Sequence, residues 1–152
     1  QALVKQLLSV ESTTAGLTEL LYSDEIAIQL HKMGFKAVMT EGAKHILSWK
    51  SPNYVYSSSA APKLKVLLRN TTLSDELAFH FSDSTWHNFP MDAEKFATAL
   101  ATLPEEEQVV NIWVGAETFG IRQSAASGIF DLLDALFAQC IFHELLYSQF
   151  YK

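Results

Sequence analysis

Short apolar runs of β character alternate along this chain with stretches of helical periodicity, and that order limits the fold more than any single motif. Within residues 24–33 the apolar positions Ile26, Ala27, Leu30 and Met33 follow the i, i+1, i+4, i+7 spacing of one helix face. Acids fill the first turn and Gly34 stands just past the end. Residues 35–40 then read as a strand that ends at Glu41-Gly42, and 65–68 as another. Helical patterns return over 72–81, over 92–103 with Pro104 as the stop, and from 128 to 136. The run Gln-Val-Val-Asn-Ile-Trp-Val at 108–114 is the most β-like in the chain, so Trp113 is expected in the core. Strands separated by helices pair in parallel through crossovers, which predicts an α/β fold, either an open layer or part of a barrel.

Composition narrows the function classes. A chain of 152 residues, 49% of them apolar, has enough material for a core, and one domain over 1–152 is expected. Net charge is −6, and the 11 Lys and Arg form no run, so nucleic acid and anionic membrane surfaces are not expected partners. Cys140 stands alone, which excludes an internal disulfide, reads as a buried inert thiol and fits a reducing, cytoplasmic setting. No apolar run reaches the length of a membrane span, and the start at Gln1 lacks the features of a leader. A soluble chain is expected, with a start that points to processing or trimming. His80 and His87 bracket Asp83 without the tight paired spacing of a zinc site, so structural or surface roles and no metal are expected. No glycine-rich phosphate loop follows any expected strand, which disfavours nucleotide binding.

In α/β folds the chemistry gathers where strands end. Glu19, Glu41 and Glu117 fall near the ends of the expected strands 13–18, 35–40 and 108–114. An acid in such a loop also serves as a helix cap or a solvated charge, so position alone does not assign a role.

The residues around these acids carry a resemblance. Thr18-Glu19-Leu20-Leu21-Tyr22 is followed by Asp24-Glu25-Ile26-Ala27, by Met33-Gly34-Phe35-Lys36-Ala37-Val38-Met39-Thr40-Glu41-Gly42 and by Ser51-Pro52-Asn53-Tyr54-Val55-Tyr56. Further on come Leu67-Leu68-Arg69-Asn70, Leu73-Ser74-Asp75-Glu76-Leu77-Ala78-Phe79, Phe81-Ser82-Asp83, Trp86 and Glu117-Thr118-Phe119-Gly120. In this order and at these spacings the segments resemble the α-amylase branch of glycoside hydrolase family 57, over about residues 10–133. The resemblance implies a retaining enzyme on α-glucans, built as a distorted barrel of seven parallel strands. Glu19 would be its nucleophile, forming a glycosyl-enzyme intermediate. No metal or organic cofactor is implied.

The resemblance also exposes a departure. The general acid/base of the family is an aspartate two residues before the glutamate of Glu117-Thr118-Phe119-Gly120, and here that position is Gly115. Three readings compete: Glu117, on the same side of an alternating strand, replaces the acid; hydrolysis is lost and a sugar cleft kept; or the chemistry was never needed. Loss of a proton-transfer group typically removes roughly 10² to 10⁴ of rate. Glu117 is otherwise expected in the wall of the site, as in the family. Gly16-Leu17 stand before Glu19 where the family tends to have Arg-Asn, which alters the local support of the carboxylate.

Binding residues follow from the same comparison. Trp49, Trp86 and Tyr54 are candidates to stack on a pyranose, with rim packing as the plain alternative. His45 resembles a family position near the substrate, although Glu-x-x-x-His is also ordinary helix spacing. Asp75 and Asp83 match family acids and are equally explained as caps. The family's early strands have no counterpart here, so the chain resembles a part of the catalytic domain, with a sheet edge that invites a second copy. The apolar stretch with Phe137, Ile141, Phe142, Leu145, Leu146 and Tyr147 is expected as a helix over 137–152 that covers such a surface. The leading expectation is an α-amylase-like protein that acts on or binds α-glucans or maltooligosaccharides. The alternative is a catalytically inactive sugar-binding or regulatory relative.

Overall fold

Four short strands form one sheet in the computed structural model, which describes residues 2–142: β1 (Thr14–Gly16), β2 (Ala37–Thr40), β3 (Tyr56–Ser57) and β4 (Lys65–Leu68), in the order β1-β2-β4-β3. β1 pairs with β2 and β2 with β4 in parallel, while β3 lies antiparallel to β4. The register sets Ala15 opposite Val38 and Val38 opposite Val66, with Thr40 opposite Leu68. Because side chains alternate along a strand, these residues share one face and all five are buried. The α/β class expected from the alternation is therefore present, with one antiparallel edge strand that it did not anticipate.

The chain divides into two compact units, the first made of Gln1–Thr71 and Glu107–Ile112 and the second of Thr72–Glu106 and the chain from Trp113 on. In the first unit α1 (Ala2–Leu8) precedes β1, and α2 (Asp24–Lys32) is the crossover between the parallel strands β1 and β2. Ser23 caps α2 by accepting a hydrogen bond from the Ile26 amide, and Gly34 leaves it at φ 88°. Ala27 and Leu30, one turn apart, join Ala15, Val38, Val66, Leu68, Ala61 and Leu64 in a single core. A short helix, α3 (Lys44–Leu47), follows β2.

Residues 108–114 do not form the strand that their composition suggests. β4 has β2 on one edge, and on the other β3 pairs only with Lys65 and Val66, the first half of its length. The run meets the sheet only beyond the end of β4, through a single parallel bridge between Arg69 and Asn111. One side chain and two backbone amides hold it there: Asn111 Nδ2 donates to the Leu68 carbonyl, and the amides of Gln108 and Val109 donate to the Asn53 carbonyl. Trp113, placed in the core by the strand reading, is instead 39% exposed, with its amide donating to Ser74 Oγ.

The second unit begins at the second residue of α4 (Thr71–Asp75), which passes into a π-helical turn, Glu76–His80, and is followed by α5 (Ala93–Ala101) and α6 (Ile129–Phe142). α5 packs against α6, and Phe96, Ala97, Ile129 and Leu132 are buried. Asp92 caps α5 through a 2.8 Å hydrogen bond from the Lys95 amide. Asp92→Ala should therefore cost about 1 kcal/mol in urea unfolding, and Asp92→Asn much less. The side chains of Phe137, Cys140, Ile141 and Phe142, and the apolar residues Leu145, Leu146 and Tyr147, lie outside the described residues.

Candidate functional site

Glu19 sits three residues beyond β1, in the 3-10 turn Thr18–Leu20. Its φ is 57° and that of Leu20 is 52°, two successive non-glycine residues in the left-handed region. Each such residue costs about 1–3 kcal/mol and persists only where its surroundings impose it. The surroundings do so here. The Leu20 side chain is buried, and its carbonyl accepts from Thr40 Oγ1 at 2.7 Å and from the Glu41 amide at 3.2 Å. The turn is thus clamped onto the end of β2, while the Glu19 side chain is exposed and its carboxylate has no partner among the described residues.

Thr40 is the buried element of that clamp, and nothing in the sequence pattern singled it out. Thr40→Val keeps the shape and removes the donor, leaving the Leu20 carbonyl with the Glu41 amide alone. The expected loss is about 1 kcal/mol of stability. Slower covalent labelling of Glu19 by an activated sugar would show that the clamp also orients the carboxylate.

At the end of β2, Glu41 is fixed rather than free. Its Oε1 accepts from Thr71 Oγ1 at 2.7 Å and from the Gly42 amide at 3.1 Å, and its Oε2 lies 3.4 Å from Arg69 Nη1. Gly42 is required by this arrangement, because a Cβ there would run into the Arg69 carbonyl oxygen. Beside it Asn70 Nδ2 donates to Asn53 Oδ1, and Asn53 Nδ2 donates to Glu107. Arg69, Thr71 and these asparagines are absent from the residues singled out by sequence. The usable signal was their place next to strand ends, in Arg69-Asn70 and Pro52-Asn53.

His45 lies on α3 and is exposed; Trp49, two residues past that helix, is 87% exposed. Neither is tied to Glu19 or Glu41 by a hydrogen bond. Tyr54 is half-buried and meets Tyr56 edge to face at 6.5 Å.

The second unit holds the remaining candidates. Trp86 stacks on His80 with ring centres 3.9 Å apart and planes 8° from parallel, and His87 lies 4.5 Å away. One indole face is therefore closed to a sugar, and the buried Nε1 has no hydrogen-bond partner among the described residues. Asp83, in the same loop, accepts from the hydroxyl and amide of Thr85, and these bonds, with His80 beside it, hold its carboxyl below the usual range.

Gly115 precedes a 3-10 turn, Ala116–Thr118, closed by the Thr118 amide donating to the Gly115 carbonyl at 2.9 Å. This turn, rather than strand alternation, sends the Glu117 side chain back toward residue 115. A Cβ built on Gly115 would fall against both carboxylate oxygens of Glu117. Arg122 steadies that carboxylate at 3.4 Å, and its guanidinium lies 5.0 Å above the Phe79 ring.

Three comparisons bear on these residues. The family model described as glycosyl hydrolase family 57 matches residues 1–152. A protein of Methanocaldococcus jannaschii named "Putative alpha-amylase" is 41% identical over 142 residues, which cover 93% of this chain and 30% of that protein. The chain thus spans about a third of the length of the relative that it matches. No solved structure matches the chain.

Proposed function

Since the chain belongs to glycosyl hydrolase family 57, we propose that it acts on α-glucans, with Glu19 as the nucleophile of a retaining mechanism. The carboxylate attacks the anomeric carbon, forms a glycosyl ester, and is released when water attacks the same carbon. One observation supports this reading above the others: the strained turn that carries Glu19. Two left-handed residues held by a buried threonine cost stability and present, beyond a strand end, an exposed carboxylate with no partner among the described residues. Strain of this kind gathers at sites where a side chain must be held in position. In this reading His45 and Trp49 contact the glucan, and Glu41 with Arg69 and Thr71 forms a rigid polar wall; in the second unit the free face of Trp86 is a separate candidate for sugar stacking.

A second reading, sugar recognition without hydrolysis, draws on Gly115, which has no group to transfer a proton. The test uses a fluorinated α-maltosyl fluoride, whose leaving group departs without a proton donor. A mass increase of one maltosyl unit on the peptide containing Glu19 supports the nucleophile. Binding of maltoheptaose without labelling supports recognition alone. Neither labelling nor binding would overturn both.

A further inference from the structure

Glu41 stands one hydrogen bond away from the turn that carries Glu19, and from its geometry we infer that its Oε2 atom accepts a hydrogen bond from one hydroxyl of the bound glucan. The inference rests on the α-glucan reading above. Both glutamates belong to the first unit. The Glu41 amide donates to the Leu20 carbonyl at 3.2 Å, and Leu20 follows Glu19 directly. Their α carbons are therefore no more than about 11 Å apart, close enough for one glucan chain to meet both side chains. They stand past the ends of β1 and β2, parallel strands whose carboxyl ends share one rim, the place where ligands of α/β layers bind.

The protein takes up most, but not all, of what the Glu41 carboxylate can accept. A carboxylate offers about four acceptor positions. Thr71 Oγ1 and the Gly42 amide occupy two on Oε1, at 2.7 and 3.1 Å, and Arg69 Nη1 lies 3.4 Å from Oε2. No other donor reaches Oε2 among the described residues, and the side chain is 39% exposed. Three donors fix the plane of the group, so the remaining lone pair on Oε2 has one direction. The support behind it is firm. The Arg69 side chain is 11% exposed, and the adjoining Asn70 is buried, with its amide on the Asn111 carbonyl at 2.9 Å and its side chain on Asn53. Ordinary surface ion pairs join long, mobile side chains and have no such backing.

The chemistry of the open position favours a sugar. Arg69 offsets the charge of Glu41 locally, which suits a neutral hydroxyl donor better than a cation. A hydroxyl that donates to an ionised acceptor forms one of the stronger hydrogen bonds, whereas a sugar with hydrogen in that place leaves a fixed polar atom unpaired. Glu41 thus reads the position of one hydroxyl and sets the register of the glucan beside Glu19. It binds and transfers no proton.

The experiment measures by calorimetry the affinity of the unaltered chain and of Glu41→Gln for maltotriose and for maltotrioses in which one hydroxyl at a time is replaced by hydrogen. Glutamine keeps an acceptor for Thr71 and Gly42 and puts a donor where Oε2 was. Glu41→Gln is expected to weaken maltotriose binding about 10- to 100-fold. One deoxy sugar is expected to lose a similar factor on the unaltered chain and almost nothing further on Glu41→Gln. A merely structural role for Glu41 would make the two losses add. Equal affinity of the two chains for maltotriose would overturn the inference, and so would full additivity for every deoxy sugar. A deoxy series without one dominant hydroxyl on the unaltered chain would overturn it as well, whether or not the variant folds. Failure of the unaltered chain to bind maltotriose or any longer maltooligosaccharide would instead overturn the α-glucan reading, and the inference with it.

Discussion

Glu19→Gln is expected to abolish covalent labelling by the fluorinated maltosyl fluoride and to lower any maltooligosaccharide turnover by on the order of 10⁴ or more. Glutamine keeps the size of the side chain and loses the charged oxygen that bonds to the anomeric carbon. A loss of 10⁴ corresponds to about 5.4 kcal/mol of transition-state stabilisation, far above what a displaced binding contact would cost. Stability should not change, because the carboxylate is exposed and has no partner among the described residues to lose. Glu19→Gly separates the two roles of this position more sharply. It relieves one left-handed residue, so the variant is expected to unfold at a higher urea concentration, by about 1 kcal/mol, while being as inactive as Glu19→Gln. A position at which removing the side chain stabilises the fold and ends the chemistry is one where strain serves function. Equal labelling of Glu19→Gln and the unaltered chain would overturn the assignment.

The parts of the fold that depend on local pattern were legible in the sequence, and those that depend on who occupies a sheet edge were not. The 3.6-residue spacing of Ile26, Ala27 and Leu30 gives α2 and its buried face, and the apolar run before Gly42 gives β2. Tyr56 and Ser57 carry no periodic signal, since two residues are too few to show one, yet they pair with Lys65 and Val66 on one edge of β4. The most β-like run, 108–114, meets the sheet through one bridge at Asn111 and is otherwise tied down by the Asn111 side chain and by backbone amides on the Asn53 carbonyl, with Trp113 half-exposed. Local propensity has no way to register how far along a neighbour a strand will pair. The site shows the same division. Glu19 was found from its motif and Glu41 from its strand end, but the clamp at Thr40 needs two segments twenty residues apart. The return of Glu117 toward Gly115 was considered on strand alternation, whereas the geometry comes from a 3-10 turn.

Phe96→Ala is expected to destabilise the second unit by about 3–5 kcal/mol, which would be a large part of the stability of an ordinary domain. Phe96 is 1% exposed and lies with Ala93 and Ala97 on the buried face of α5, at the i, i+3, i+4 positions of one turn. The alanines are small and bring α5 close to α6, so the phenyl ring supplies most of the apolar volume on that face. Removing it leaves a cavity that neighbours at close packing cannot fill, and the cost is the lost transfer energy plus the lost contacts. Trp86 and Trp113 belong to the same unit and report its unfolding by fluorescence. Phe96→Leu keeps much of the volume and should cost less than half as much. A loss below about 1 kcal/mol in Phe96→Ala would mean that the α5 face is not packed as described. If the variant still folds at low temperature, labelling of Glu19 measured there asks a separate question. A rate unchanged from the unaltered chain would assign the chemistry of that step to the strained turn beyond β1 and the clamp of Thr40 rather than to the helices of the second unit.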